Sequence, residues 1–288
     1  MSGIATEDDD MTKDAAAMSA PSAGSLPLDQ IICGDNCEVM RQMPSESIDL
    51  VVTSPPYDDL RTYGGHSWDF YGVAWNLKRL LKPGGVIVWN VNDETKDGDE
   101  TGTSFRQALH FKKIGLRLHD TMVWDKGCFT GVGSTTVRYG PSTEFMFVFS
   151  NGRVAAFNPI KDRKNIHAGC DTRASSVRER DGSIRRQRSL NRRIQEYGIR
   201  FNVWKVNPEM SNANRFHPGQ MPEALARDHI LSWSNPGDVV LDPFSGSGTT
   251  AKMARETGRR FIGIEVNPEY VEISRKRLAQ QALPVDVA

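Results

Sequence analysis

The sequence predicts an α/β protein built on an open, mostly parallel sheet with helices on both faces. Three observations predict it. Short apolar runs alternate with amphipathic stretches of helix length along most of the chain. The strand Val239-Val240-Leu241 runs into the Gly-rich turn Asp242-Pro243-Phe244-Ser245-Gly246-Ser247-Gly248 and then a helix, the order of the nucleotide-binding half of a Rossmann-like sheet. A second apolar strand, Ile48–Thr53, ends on Ser54-Pro55-Pro56-Tyr57, where two prolines remove ladder donors and stop the pairing.

Residues 1–28 are rich in Ala, Ser, Met and Asp, bury little, and read as a disordered acidic tail. Gln30–Cys33 is a short strand ending at Gly34-Asp35, and Cys37–Met43 a helix. Phe70–Leu81 has helical spacing and stops at Lys82-Pro83-Gly84-Gly85, ahead of the strand Val86–Val91. Phe105–Ile114 is a helix ended by Gly115, and Asp120–Asp125 and Phe145–Phe149 are strands. Periodicity is lost from Asn151 to Arg200 and returns at Phe201. The last third reads as helix Pro222–Ser234, strand Val239–Leu241, helix Thr249–Thr257, strand Phe261–Glu265 and helix Pro268–Gln281, before a tail at 283–288.

The 36 Lys and Arg balance the 36 Asp and Glu, which looks wrong for a polyanion binder. The average hides a split: residues 1–29 carry six acids against one lysine, and residues 161–200 twelve Lys and Arg against five Asp and Glu. Charge asymmetry of this kind says more than the total. The basic block can track phosphates, with Arg185, Arg186, Arg188, Arg192 and Arg193 as the expected contacts. Cys33, Cys37, Cys128 and Cys170 form no CxxC pair or metal-ligand cluster, so no metal is expected, and ordinary thiols suit a reducing, cytoplasmic compartment. No apolar run approaches membrane-spanning length, and the acidic N-terminus lacks the basic segment of a signal peptide.

The Gly-rich turn specifies its ligand. A dinucleotide fingerprint wants a third glycine where this chain has Ala251. Asp242 puts a negative charge where a pyrophosphate would sit. It suits a ligand with an ammonium group, such as the methionine end of S-adenosylmethionine. Glu265, at the end of the next strand, is placed to accept hydrogen bonds from two ribose hydroxyls. Asp242, Phe244, Ser245, Gly246, Ser247, Gly248, Thr249, Thr250 and Glu265 make up the expected cofactor site.

Ser54-Pro55-Pro56-Tyr57 lies at a strand end, where ligand crevices of open α/β sheets are found. An exocyclic amine is a poor nucleophile because its lone pair is delocalised into the ring. Acceptors aimed at its two N–H bonds favour a pyramidal nitrogen. The Ser54 hydroxyl and the Pro55 carbonyl are such acceptors, and the prolines pre-organise them. Tyr57 offers a ring face to an extruded base, and the face rather than the hydroxyl is expected to matter. An activated methyl needs no covalent enzyme intermediate, so no cysteine is assigned a catalytic role.

These two motifs together resemble the DNA amino-methyltransferases that make N6-methyladenine and N4-methylcytosine. Their order, catalytic motif first, resembles the β class, over roughly residues 30–282. Gly34-Asp35, Lys82-Pro83-Gly84-Gly85, Trp124-Asp125-Lys126, Glu144–Phe149, His217-Pro218-Gly219-Gln220-Met221-Pro222 and Asn267-Pro268-Glu269-Tyr270 match further family elements. The resemblance implies the S-adenosylmethionine-dependent methyltransferase fold with a mixed seven-stranded sheet. It assigns Asp35 to the cofactor adenine, His217, Pro218 and Gln220 to the cofactor wall, and Asn267 and Pro268 to the segment after the ribose-binding acid. It also implies double-stranded DNA as substrate, base flipping, and a homodimer. The expected division is a catalytic half at 29–150, a basic target-recognition insert at 151–205 and a cofactor-binding half at 206–282. Ser-Pro-Pro-Tyr is often a cytosine-N4 spelling. The longer string Thr53–Gly64 looks like orphan and phage-borne members, among which adenine methylation is common, and the sequence leans to adenine. No endonuclease signature accompanies it, as for an orphan enzyme or the separate modification subunit of a restriction-modification pair.

Three other readings compete. RNA and protein-glutamine methyltransferases also use such a tetrapeptide, but the basic insert and motif order argue for duplex DNA. A DNA-binding regulator without turnover is opposed by the intact Ser54–Tyr57, Asp242 and Glu265. A nicotinamide oxidoreductase is opposed by Asp242 and the missing glycine.

Overall fold

The computed structural model describes residues 25–57, 67–128, 137–171, 175–187, 193–208 and 220–280. The expected tails therefore lie outside the described residues almost entirely, as do His217, Pro218, Arg188 and Arg192.

In chain order the elements are β1 (Gln30–Cys33), α1 (Asn36–Arg41), β2 (Ile48–Thr53), α2 (Phe70–Leu80) and β3 (Leu81–Val91). The ribbon strands β4 (Thr95–Lys96) and β5 (Asp99–Glu100) lead to α3 (Thr103–Lys113), β6 (Arg117–Asp125) and β7 (Thr143–Ser150). Four short strands follow: β8 (Arg163–Lys164), β9 (Ser175–Arg178), β10 (Ile184–Gln187) and β11 (Tyr197–Gly198). Then come β12 (Val203–Lys205), α4 (Glu223–Trp233), β13 (Val239–Asp242), α5 (Thr249–Glu256), β14 (Arg260–Glu265) and α6 (Pro268–Ala279).

One sheet of eight strands, in the order β1-β14-β13-β2-β3-β7-β6-β12, organises them. Five pairings are parallel, and only those of β7 with β3 and β6 are antiparallel. Seven strands were expected. The eighth is the three-residue edge strand β12, held parallel to β6 by Val203–Val123, Trp204–Trp124 and Lys205–Asp125.

Strands covered on both faces need apolar residues at nearly every position, and β2 and β13 have them. Side chains alternate between two cores. Ile87 and Trp89 of β3 face Val73, Leu77 and Leu80 of α2 and Phe111 of α3. Val86 and Val88 face the other way, toward Leu225 and Ile230 of α4 and Ala251 and Met253 of α5. The Lys82–Gly85 segment, expected as a loop, belongs to β3. It passes Asn151 with Gly84 at a positive φ of 82°, and its register shifts opposite Asp49. Asp49 fastens this point: it accepts from Lys82 at 2.8 Å and from the Val239 amide at 2.9 Å.

The order of strands reverses direction between β13 and β2. From β13 the chain continues outward to β14, and from β2 it continues the other way to β3. Such a switch point opens a crevice at the carboxyl ends of the two strands. Both sequence motifs begin there. Among the described residues no helix is long and apolar enough to cross a membrane.

Candidate active site

The two strand ends are tied together. The Thr53 hydroxyl, last in β2, donates to Asp242 Oδ1, last in β13, at 2.7 Å. The Phe244 amide donates to the same oxygen at 3.1 Å, and Thr250 Oγ1 donates to the Val52 carbonyl at 3.2 Å. Asp242 is buried, and burial pushes its carboxyl up to about 6, against the hydrogen bonds from Thr53, Phe244 and Thr250 and with the Glu265 charge adding to the rise. A buried carboxyl held in this way favours a cationic partner.

The Gly-rich turn is shaped by the groups around it. Gly246 and Gly248 have positive φ, which L side chains rarely adopt. A Cβ at Gly248 would also meet the Ser274 Cβ at 2.9 Å. Glu265 reaches back to the turn, its Oε2 accepting from the Gly246 amide at 2.8 Å and its Oε1 from the Asn267 amide at 2.9 Å. From behind, the Ser274 hydroxyl donates to the Gly246 carbonyl, and buried Arg277 donates to Ser247 and Thr249 and to Glu223. Ser274 and Arg277 escaped the sequence reading because their partners in and after the turn lie 28 and 30 positions away, and Glu223 because it reaches the turn only through Arg277.

The other expected cofactor residues fall around this turn. Asp35 and Asn267 are helix N-caps, accepting from the Glu38 and Glu269 amides at 2.9 Å each, and Pro268 opens α6. Asn36, absent from the sequence reading, donates to the Pro243 carbonyl at 3.2 Å. It joins the end of β1 to the Asp-Pro-Phe turn. Phe244 meets Trp68 edge to face at 4.9 Å. Ser245 Oγ and both amide atoms of Gln220 are buried without a hydrogen-bond partner among the described residues. Buried polar groups are rarely left so, and a bound polar ligand would satisfy them. The donor and acceptor set therefore fits S-adenosylmethionine: a buried carboxyl, a glycine turn and unpartnered polar atoms on expected cofactor positions.

At the tetrapeptide the tyrosine hydroxyl is engaged, which the sequence reading did not foresee. Tyr57 donates to Glu144 Oε2 at 2.8 Å and lies 2.8 Å from Ser54 Oγ. Asn90 Nδ2 donates both to the Tyr57 oxygen and to Glu144 Oε2 at 2.8 Å, and Lys126 pairs with Glu144 Oε1 at 2.7 Å. Glu144, Lys126 and Asn90 sit on or beside β7, β6 and β3, whose pairing carries them to the end of β2. Lys126 and Glu144 fall inside matched family elements, but nothing local in the sequence joins them to Tyr57.

The cysteines are unpaired. Burial, with the charges of Asp35 and Asp69 behind it, pushes the Cys37 thiol up to about 11, far from a reactive thiolate at neutral pH. Among the described residues no group of three His, Cys, Asp or Glu could hold a metal ion.

In the basic segment β9 pairs antiparallel with β10, and β8 with β11, as exposed two-stranded ribbons. Adjacent strand residues point to opposite faces, so Arg185 and Arg186 do not share one. Arg185 forms a surface pair with Glu179 at 2.6 Å. Arg186 shares its face with Arg178, because Ile184 stands opposite Arg178 in the register. Arg178 was missing from the expected set, since the face emerges only from the pairing. Arg193 and Asp171 form an isolated antiparallel backbone bridge.

A family model described as DNA methylase, for N6 and N4 methyltransferases, matches residues 48–276, from β2 through most of α6. The chain belongs to this DNA methylase family. It is an S-adenosylmethionine-dependent DNA amino-methyltransferase with the Rossmann-like fold of these enzymes. It is similar to the orphan methyltransferase M.BamHII of Bacillus amyloliquefaciens, with 47% identity over 238 residues, 81% of this chain and 89% of that one. It is also similar to the DNA adenine methyltransferase YhdJ of Escherichia coli K12, with 31% identity over 86% of this chain and 82% of that one. Among solved structures, the M1.HpyAVI complex with S-adenosylmethionine superposes with a TM-score of 0.57 at 25% identity, over 86% of this chain and 99% of that one.

Proposed function

We propose that the methyl donor lies across the carboxyl ends of β13, β14 and β1, and that the target base, flipped from duplex DNA, enters beside Ser54–Tyr57. The observation that carries this reading is the Thr53–Asp242 hydrogen bond of 2.7 Å, which sets the two motifs side by side. S-adenosylmethionine supplies a sulfonium methyl that a neutral amine can attack. Asp242 receives its ammonium group. Glu265 accepts from the ribose, since each carboxylate oxygen has a lone pair beyond the one used by a backbone amide. Asp35, Phe244, Ser245, Gly246, Ser247, Gly248, Thr249, Thr250, Gln220, Asn267 and Pro268 complete the cofactor wall, with His217 and Pro218 assigned by resemblance. Ser54 Oγ and the Pro55 carbonyl accept the two N–H bonds of the target amine, Pro56 stiffens the loop, and Tyr57 stacks on the base.

The target is adenine N6 on the reading supported by YhdJ, named a DNA adenine methyltransferase. Ser54 at the head of the tetrapeptide favours a second reading, cytosine N4. Single-molecule sequencing of DNA from cells expressing the protein tests both, because it reports base and site together. N6-methyladenine at one motif is the expected result; N4-methylcytosine decides for the second reading, and unmodified DNA overturns both. A homodimer belongs to the same proposal and rests on the family resemblance.

Residues 151–202 are proposed as the target-recognition insert, with the β9–β10 ribbon against the DNA backbone; the expected boundary at 205 is too late, because Val203–Lys205 form β12 of the main sheet. Arg178 and Arg186 are the expected phosphate contacts on one face, and Arg193, Arg188 and Arg192 follow them in the chain. Each phosphate contact contributes about 0.9 to the slope of log K against log salt. Replacing Arg178 and Arg186 together by Ala should lower that slope by roughly 2 and weaken binding to all sequences alike. Arg185→Ala, which removes a charge already paired with Glu179, should do less. Unchanged slopes in a fluorescence-anisotropy salt series would remove the ribbon from the interface.

A further inference from the structure

The hydrogen bonds that join the Tyr57 hydroxyl to Ser54, Asn90 and Glu144 have one consistent proton assignment. A carboxylate only accepts, and the Asn90 amide nitrogen only donates. Tyr57 has a single proton, and it points to Glu144 Oε2. The 2.8 Å contact between Ser54 Oγ and the Tyr57 oxygen therefore uses the Ser54 proton. Ser54 is left presenting lone pairs, the state required of an acceptor for an amine N–H. Lys126 fixes the other end, pairing with Glu144 Oε1 at 2.7 Å. Glu144 and Asn90 are buried, so water does not scramble the end of the relay that directs the half-buried Tyr57 and Ser54.

We propose that Glu144 is a positioning residue. Through Tyr57 it directs the Ser54 proton away from the target amine and so sets Ser54 as an acceptor. This rests on the reading that Ser54 accepts from that amine. The conservative variant Glu144→Gln reverses the relay. Lys126 holds the amide oxygen, so the amide NH2 faces Tyr57 and Asn90, whose amide can turn its otherwise unpartnered oxygen toward it. The Tyr57 proton then turns to Ser54, and the Ser54 proton, no longer held by Tyr57, is free to meet the incoming N–H, donor against donor. Tyr57→Phe removes the relay with no change in ring shape.

The test is single-turnover methyl transfer, with KM for duplex DNA and affinity for S-adenosylmethionine measured alongside, in the wild-type and Ser54→Ala backgrounds. Glu144→Gln and Tyr57→Phe should each slow transfer about tenfold or more, the scale of one misdirected buried hydrogen bond, with both binding constants within about twofold. Neither should slow it further once Ser54→Ala is present, because a residue acting through Ser54 has nothing left to direct. Full-rate transfer by Glu144→Gln, with Ser54→Ala slow, overturns the proposal and leaves the Ser54 reading standing. Equal losses in both backgrounds overturn it too, since Glu144 would then act on the scaffold. Full-rate transfer by Ser54→Ala takes down the reading beneath it. Should Glu144→Gln fail to fold, the Tyr57→Phe pair decides alone.

Discussion

Asp242→Asn is expected to weaken S-adenosylmethionine binding roughly 10- to 100-fold at pH 8, the loss of a charge-assisted contact of about 1.5–3 kcal/mol. Asn is the appropriate replacement. Thr53 Oγ1 and the Phe244 amide both donate to Asp242, and Asn keeps an oxygen for them where Ala would orphan two buried donors. Glu265→Ala carries that fault as well, because it strips the acceptor from the Gly246 and Asn267 amides and loosens the turn itself. The pH dependence follows from burial. The Asp242 carboxyl is raised from 3.8 to about 6, so in the cofactor-free protein its contribution to stability is highest below 3.8 and is lost as pH rises through 6. Two units correspond to about 3 kcal/mol. Urea melts of Asp242→Asn should lack that slope and show a cofactor-free protein more stable than wild type at pH 8. Cofactor affinity runs the opposite way in wild type, rising across pH 5–7 as Asp242 ionises. Calorimetry giving wild-type affinity for Asp242→Asn at pH 8 would remove Asp242 from the cofactor site.

The parts of this site that were legible in the sequence are those whose chemistry is local. Strand, glycine turn, helix and acid lie within Val239–Glu265, and strand and tetrapeptide within Ile48–Tyr57. In each, residue type and backbone demand coincide. Contacts made across the sheet were not legible. Thr53 and Asp242 are 189 positions apart, and Tyr57 and Glu144 are 87 apart. Only the strand order β13-β2-β3-β7 brings them together. β12 was missed because three residues are too few to show a period, and its register is set by β6 alone. The β9–β10 ribbon was missed because both its faces meet solvent, so no apolar alternation marks it. That same exposure concealed which arginines share a face.

Tyr57→Ala is expected to cut the single-turnover methyl-transfer rate about 100-fold or more, because it removes two contributions together. An extruded base loses its neighbours in the duplex, and an aromatic ring restores stacking of about 1–3 kcal/mol per base. The hydroxyl lost with the ring joins Ser54 to Glu144, and without it the Ser54 proton has no fixed direction. Tyr57→Phe separates the contributions, keeping the ring and losing the relay, and should fall between wild type and Ala. Cofactor affinity should change little, since Asp242 and Glu265 stand on β13 and β14 rather than on the tetrapeptide. DNA affinity should drop only modestly, because phosphate contacts supply most of it. The rates are checked by rapid-quench transfer from labelled S-adenosylmethionine to duplex DNA. Stacking is checked with 2-aminopurine at the target base, whose fluorescence rises on extrusion and is quenched against a ring. Wild-type rates for Tyr57→Ala would dismiss both roles. A Phe variant as slow as Ala would assign the whole effect to the hydroxyl and leave the ring face without a part in catalysis.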